Sequence, residues 1–244
     1  DPFYGKIIGF IEKYVQELGY YLMLYSAKDT DKIFQMVMGW DVDGVIAISF
    51  SKSNCEKIYQ LINKPIVSID AYGELDAGQE NHVLNIGLDD ESGGYLMTKY
   101  LLECGYEHIQ VCAGRDNGVD HLRYMGAQRA AKDFCKEKAE GAVYCSWNEL
   151  RQTKRKLCVA APAEKTKGRT DFFLSDLYAL EAISFFSSRG VKIPEEIGIA
   201  GYDNISYAEF SVPRLTTISQ NVEQKASLAV EILMERIQWS GKRA

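Results

Sequence analysis

Asp203 stands in Gly201-Tyr202-Asp203-Asn204, directly after a short apolar run containing Ile197, Ile199 and Ala200. An acid just past the C-terminal end of a strand in an open α/β sheet faces the crevice where ligands collect. A carboxylate there accepts bonds from donors such as sugar hydroxyls, and the same Asp-Asn pair also suits an Asx-turn. Asp89 ends a second strand-like run, Val83 to Asp89. It has two uses, as a hydroxyl acceptor or as the cap of the next helix. Arg123 lies at the start of a helical pattern, where a cation gains nothing from the helix dipole. Its fork of donors fits ligand oxygens or an ion pair with Asp120. Trp147 follows the run ending at Cys145. An indole offers a rigid apolar face and an N–H, which suits stacking on a pyranose and equally a place in the core. Ser49, Ser51, Ser175 and Gln220 end or follow further strand-like runs and add polar groups at the same kind of position. Phe3 and Tyr4 open the first helix, where they also fit a hydrophobic staple.

These residues do not assemble into a known catalytic signature. The chain has no GxSxG elbow, P-loop, GxGxxG or HExxH. Asp89 and Asp203 would form a glycosidase pair only if one carboxyl had a raised pKa, which the sequence does not supply. No enzyme, cofactor or metal is therefore expected. The three histidines (His82, His108, His121) and six cysteines (Cys55, Cys104, Cys112, Cys135, Cys145, Cys158) contain no CxxC. Cys104 and His108 are separated by a helix end at Gly105 and do not match a structural zinc spacing. Several cysteines sit in apolar patterns, which suggests reduced thiols and a cytoplasmic protein. No apolar run is long enough to span a membrane, and no signal-peptide pattern is visible at the start.

The formal charge of -6 over 244 residues speaks against phosphate-backbone binding by this segment itself. The one basic cluster, Arg151 to Lys156 with Lys165, Lys167 and Arg169, reads as a solvated helix face and loop. With 46% hydrophobic and 25% charged residues, the composition is that of a globular protein of one large or two small domains.

The elements that would position the polar residues alternate. Ile7, Ile8, Ile11, Val15 and Leu18 recur at helical spacing and end at Gly19. Strands are predicted over 20–25, 42–49, 66–70, 83–89, 108–113, 142–145, 172–174, 197–201 and 215–218. Helices are predicted over 30–38, 54–62, 93–103, 122–134, 148–157, 177–188 and 223–237. This order implies parallel sheets with right-handed crossovers. A break near Asp89, without a Pro/Ser/Gly linker, divides the chain into two similar lobes. The expected boundaries are residues 1–88 plus 222–244 for the first lobe and 89–221 for the second. The chain opens at a helix with no strand before it, so the first strand of a doubly wound lobe is expected to precede residue 1.

The ordered set Asp1-Pro2-Phe3-Tyr4, Val42-Asp43-Gly44-Val45-Ile46, Asp89 with Gly93-Gly94, Arg123 with Gly126, Ile193-Pro194-Glu195-Glu196-Ile197, Gly201-Tyr202-Asp203-Asn204 and Leu215-Thr216-Thr217-Ile218 resembles the effector-binding core of the LacI/GalR family of bacterial transcription regulators. The resemblance covers essentially the whole chain. It implies an α/β fold of two doubly wound parallel-sheet lobes joined by crossover hinge strands, the type I periplasmic-binding-protein-like architecture. It also implies a small-molecule effector, most readily a sugar, bound in the cleft between the lobes. The ligand-binding residues implied are Phe3, Tyr4, Asp89, Arg123, Trp147, Ser175, Asp203 and Gln220. Ser175 stands where the family commonly has Asn, which leaves open the group read there. A homodimer, operator DNA bound through an N-terminal headpiece outside these residues, and repression relieved or strengthened by a change in lobe angle are implied as well. The alternative in the same fold is an extracytoplasmic sugar-binding protein of a transport system; a glycoside-acting enzyme ranks below it.

Overall fold

The computed structural model describes residues 2–113, 118–138, 144–149, 152–153, 156–157 and 168–241. By contact density the chain separates into two compact units, Asp1–Leu88 with Asn221–Ala244, and Asp89–Gln220.

In the first unit, helix α1 (Pro2–Glu17) begins with proline, which suits a first helical position. It buries Phe3, Ile7, Ile11 and Val15, four residues apart on one face. That face packs against α7 (Val222–Gly241), which buries Val222, Ala226, Ala229, Val230 and Leu233. Helix α2 (Thr30–Met38) is capped by Asp29 and packs on α3 (Lys52–Ile62). Strands β1 (Val45–Ile48), β2 (Ile66–Ile69) and β3 (Leu84–Ile86) form a parallel sheet in the order β1-β2-β3. Strand β2, the central one, is buried throughout. Glu56 of α3 is fully buried and accepts the backbone N–H groups of His82 and Val83 at 2.6 and 2.7 Å, which fixes the chain entering β3.

The strand expected over 20–25 is not formed. The segment has strand composition, but no ladder partner lies beside it among the described residues. A strand without a partner leaves its backbone groups to water. Tyr21, Met23 and Leu24 accordingly stand well exposed.

The second unit carries a parallel five-stranded sheet in the order β10-β9-β8-β4-β5. Its strands are β4 (His108–Ala113), β5 (Tyr144–Glu149), β8 (Arg169–Phe173), β9 (Gly198–Asp203) and β10 (Thr216–Ser219). Helices α4 (Asp90–Glu103) and α5 (Gly118–Lys138) cover one face over Met97, Leu101, Leu102, Ile109, Val111, Phe172 and Tyr202. Helix α6 (Asp176–Ser187) covers the other over Phe173, Ala179, Ala182, Ile183 and Phe186. Helices α4 and α5 cross at glycines. A Cβ on Gly94 would overlap the Arg123 carbonyl oxygen, and one on Gly126 would overlap that of Glu91. Only glycine permits so close a backbone approach.

Three expectations need correction in this unit. The predicted helix over 148–157 is absent: β5 runs to Glu149, and Gln152–Thr153 (β6) pairs antiparallel with Lys156–Leu157 (β7). Asp89 does not end a strand, since β3 stops at Ile86. Of the basic cluster, Arg151, Lys154, Arg155, Lys165 and Lys167 lie outside the described residues. Arg169 does not belong to a solvated face. It stands in β8 with its Nε 3.1 Å from Asp171 and its Nη2 2.8 Å from Gln110.

Candidate functional site

The C-terminal ends of β8, β9 and β10 lie side by side in the second unit. Each delivers one polar residue: Ser175 beyond β8, Asp203 at the end of β9, Gln220 beyond β10. The three are bonded to one another. Ser175 Oγ donates to Asp203 Oδ2 at 3.0 Å, and Gln220 Nε2 donates to Asp203 Oδ1 at 2.6 Å. Ser175 occupies the N-cap position of α6, yet its side chain makes no capping bond. A serine at that position ordinarily satisfies the first N–H groups of its helix; here the hydroxyl turns to Asp203 instead. Asp203 has φ +122° and Asn204 φ +52°, backbone conformations that non-glycine residues adopt at a cost and that cluster at functional sites.

The support beneath this group is built by Asp176. Its carboxylate accepts from the Ile205 N–H at 2.9 Å and from Thr217 Oγ1 at 2.5 Å, tying the loop after β9 to β10. Burial pushes the Asp176 carboxyl up, against the bonds from Thr217 and the backbone. Burial likewise pushes Asp203 up to about 6; Arg123 and the Gln220 bond pull it down, and Asp176 adds to the rise.

Arg123 stands in the second turn of α5, which begins at Gly118 rather than near Leu122. It is buried, with Nε 2.8 Å from Asp90 Oδ1 and Nη1 donating to the Leu174 carbonyl at 2.8 Å. Asp120, the ion-pair partner considered from sequence, is farther, at 3.9 Å. The guanidinium lies 3.7 Å over the Tyr202 ring, a cation–π contact from the strand that ends in Asp203. Burial works to lower the arginine pKa, but the charges of Asp90, Tyr202 and Asp203 outweigh it and leave it raised. Burial pushes Asp120 up to about 6, against Arg123 and with Asp90.

Asp89 caps α4: Oδ1 accepts from the Ser92 N–H at 2.9 Å and Oδ2 from Ser92 Oγ at 2.6 Å. Those bonds lower its pKa. The raised carboxyl that a glycosidase calls for is thus present in Asp203, while Asp89 is engaged at a helix terminus. Trp147 has its backbone in β5, beside Val111 of β4; its side chain lies outside the described residues.

The first unit gathers a separate group at the C-terminal ends of β1 and β2. Tyr4, 38% exposed, donates its hydroxyl to Ser49 Oγ at 2.9 Å. Phe3 is buried, edge-on to Tyr4 at 5.4 Å. Ser51 caps α3. Asp70, directly after β2, receives Lys225 Nζ at 2.7 and 2.8 Å on its two oxygens. The sequence reading missed Asp70, Lys225 and Asp90. Asp70 carried the same signal as Asp203, an acid just past a buried strand. Asp90 was hidden by its neighbour Asp89, and nothing local marks Lys225.

Comparison with known proteins bears on the family and the fold. The profile of the periplasmic binding protein-like domain matches residues 98–244. The chain is 32% identical to the HTH-type transcriptional repressor PurR of Aliivibrio fischeri, over 97% of this chain and 71% of that protein. It is 30% identical to the repressor of the same name from Haemophilus influenzae, over 97% of this chain and 70% of that one. Among solved structures, a periplasmic binding protein/LacI transcriptional regulator from Alkaliphilus metalliredigens complexed with D-xylulofuranose is 26% identical. It superposes with a TM-score of 0.77 over 98% of this chain and 87% of that one. A LacI family transcriptional regulator from Enterococcus faecium with bound ribose, 22% identical, shares the fold with a TM-score of 0.81 over 98% and 87% of the two chains.

Proposed function

The chain belongs to the LacI/GalR family of transcriptional regulators, as the effector-binding core, and from that premise we propose that it binds a neutral sugar through Ser175, Asp203, Gln220 and Arg123 to change operator affinity. The observation that carries the reading is Ser175, which leaves its cap unmade and joins Gln220 on Asp203. Acceptors and donors fixed at three adjacent strand ends suit a ligand with several hydroxyls, each both donor and acceptor.

Charge supports a neutral ligand. Arg123 is already paired with Asp90. Asp203, Asp120 and Asp176 leave the neighbourhood with more carboxylate than cation, which disfavours an anionic effector. The bound sugars of the structural relatives, D-xylulofuranose in one and ribose in another, support the same class. Trp147, Phe3, Tyr4 and Asp89 are proposed as further contacts on the resemblance alone.

The effector acts by binding two conformations of the core unequally and shifting a pre-existing equilibrium between them. In the complete regulator, working as a homodimer in the cytoplasm, that shift alters how two headpieces meet two operator half-sites. The relatives are named repressors, which supports repression as the sense of control. Titration calorimetry with D-ribose, D-xylulose and cellobiose tests the binding. Heat from at least one sugar, abolished by Asp203→Ala, is expected; no heat from any of the three overturns the sugar assignment. Operator binding by the full-length regulator, with and without the sugar that binds, tests the coupling.

A further inference from the structure

We propose that the effector site of the second unit is gated by a proton: Asp203 takes up a hydrogen as the solution turns acid, the accepting charge is lost, and the sugar is released. The inference rests on the sugar reading above and uses only residues of the unit Asp89–Gln220.

Carboxyls outnumber cations around Asp203. Asp90, Asp120 and Asp203 all act on the guanidinium of Arg123, and Asp176 stands beside Asp203 from α6. Arg123 gives its direct bond to Asp90, at 2.8 Å. Arg129, the next arginine along α5, pairs with Glu91 at 2.6 Å. Tyr202 adds no charge, because burial holds its hydroxyl neutral. The ends of β8 and β10 offer Asp203 neutral groups, Ser175 and Gln220. Asp90, Asp120 and Asp176 each lie in the first turn of a helix, where the dipole favours a carboxylate. Asp203 ends a strand and has no such support.

The two bonds on Asp203 show where a hydrogen fits. Gln220 Nε2 can only donate, so Oδ1 stays an acceptor toward it. Ser175 Oγ both donates and accepts, so a hydrogen on Oδ2 is met by the serine oxygen once its hydroxyl turns round. The acid form is thereby accommodated within the existing pair. Burial favours the same form: it pushes Asp203 up to about 6, against Arg123, Gln220 and Ser175 and with Asp176.

The consequence for binding follows from the acceptor chemistry. An ionised Asp203 takes ligand hydroxyls through charge-assisted bonds, about twice as strong as neutral ones. Protonation removes that charge and fills one acceptor position. The sugar therefore favours the ionised site, and by reciprocity its binding expels the proton. With a midpoint of about 6, roughly one-tenth of the sites are ionised at about pH 5, and apparent affinity falls with that fraction. Burial pushes Asp120 up to about 6 as well, and its mutation separates the two acids.

The test is calorimetry between about pH 5 and 8 on the wild-type chain and on Asp120→Asn, with D-ribose, D-xylulose and cellobiose as probes. For a sugar that binds the wild type, affinity is expected to fall about tenfold from about pH 8 to about pH 5. At about pH 6, binding heats in buffers of different ionisation enthalpy should report release of about half a proton per sugar, and at about pH 8 close to none. Asp120→Asn is expected to keep a fall of about fivefold or more. Melting temperatures taken at each pH verify folding; if the chain is unfolded at about pH 5, the roughly fourfold fall expected at about pH 5.5 is read instead. An affinity that does not change with pH, or a proton taken up on binding, overturns this inference and leaves the sugar reading standing. A flat profile in Asp120→Asn alone places the gate at Asp120 and overturns it also. Silence from all three sugars at every pH removes the sugar reading itself, and the gate with it.

Discussion

Gln220 and Asp203 are joined side chain to side chain, Nε2 to Oδ1 at 2.6 Å, from the ends of neighbouring strands. Ser175 holds the other oxygen from a third strand end. A carboxylate oxygen accepts along two lone pairs, so each keeps a position for a ligand hydroxyl while the group itself is fixed. That is the preorganisation a sugar site needs, because side chains ordered in advance do not have to be ordered on binding.

Asp203→Asn is expected to stabilise the chain above neutral pH and to abolish sugar binding. Burial pushes the folded Asp203 up to about 6, while an unfolded aspartate titrates at about 3.9. Between those values the folded state keeps a proton that the unfolded chain has released. This contribution to stability is present at low pH and lost as pH rises through about 6. Asparagine has no proton to lose, so the variant should melt above wild type at about pH 8, by on the order of 1–3 kcal/mol. The gap should close toward about pH 4. Asp120, raised for the same main reason, remains in both proteins and cancels in the comparison. A melting series across pH checks this, and a gap that does not depend on pH would refute the assignment of the buried charge.

Arg123→Ala is expected to cost folding as well as binding. The guanidinium is buried against Asp90, and its removal leaves a buried carboxylate without its partner. Breaking one side of such a pair costs about 3–5 kcal/mol. Arg123→Met combined with Asp90→Asn should recover much of that stability while sugar affinity stays lost. Chemical denaturation of the single and double variants, beside calorimetry, separates the two effects.

The alternation of apolar runs and helical periods made the fold class legible in the sequence, because β1 (Val-Ile-Ala-Ile) and the fully buried β2 (Ile-Val-Ser-Ile) read as near-continuous apolar stretches. Asp203 was legible for the same reason: a polar residue stands out where such a run ends. Residues 20–25 were misread because local composition carries no information about whether a ladder partner is present. Residues 148–157 failed similarly, since a charged, nearly aperiodic segment fits a helix face and a short hairpin equally well. Lys225 and Asp70 lie 155 residues apart, and no local pattern relates them. Arg123 was found, but its real partner, Asp90, required the crossing of α4 over α5.

Gly126→Ala tests that crossing. The added carbon would overlap the Glu91 carbonyl oxygen, which is backbone and cannot rotate away. Helices α4 and α5 must separate, and overpacking of this kind costs about 1–3 kcal/mol or more. Because Arg123 and Asp90 face each other across the same contact, sugar affinity should fall together with the melting temperature. A variant as stable as wild type would show that the helices have room to part.

The two N-cap positions before α4 and α6 differ in what their side chains hold. Asp89 caps α4 with both oxygens on Ser92, and removing an N-cap side chain leaves the first N–H groups of the helix without their acceptor. Asp89→Ala should therefore lower the melting temperature. Ser175 holds the corresponding position before α6 but makes no cap bond, so Ser175→Ala takes no capping energy away. Its stability should fall by about 1 kcal/mol, for the lost bond to the buried Asp203 carboxylate alone. Its sugar affinity should drop about tenfold or more, because a hydroxyl bond to a carboxylate contributes about 1.5–3 kcal/mol and here fixes the accepting group. Melting and calorimetry on the two variants read this out. A destabilised Ser175→Ala with undiminished affinity would make Ser175 a support for α6 and remove it from the site.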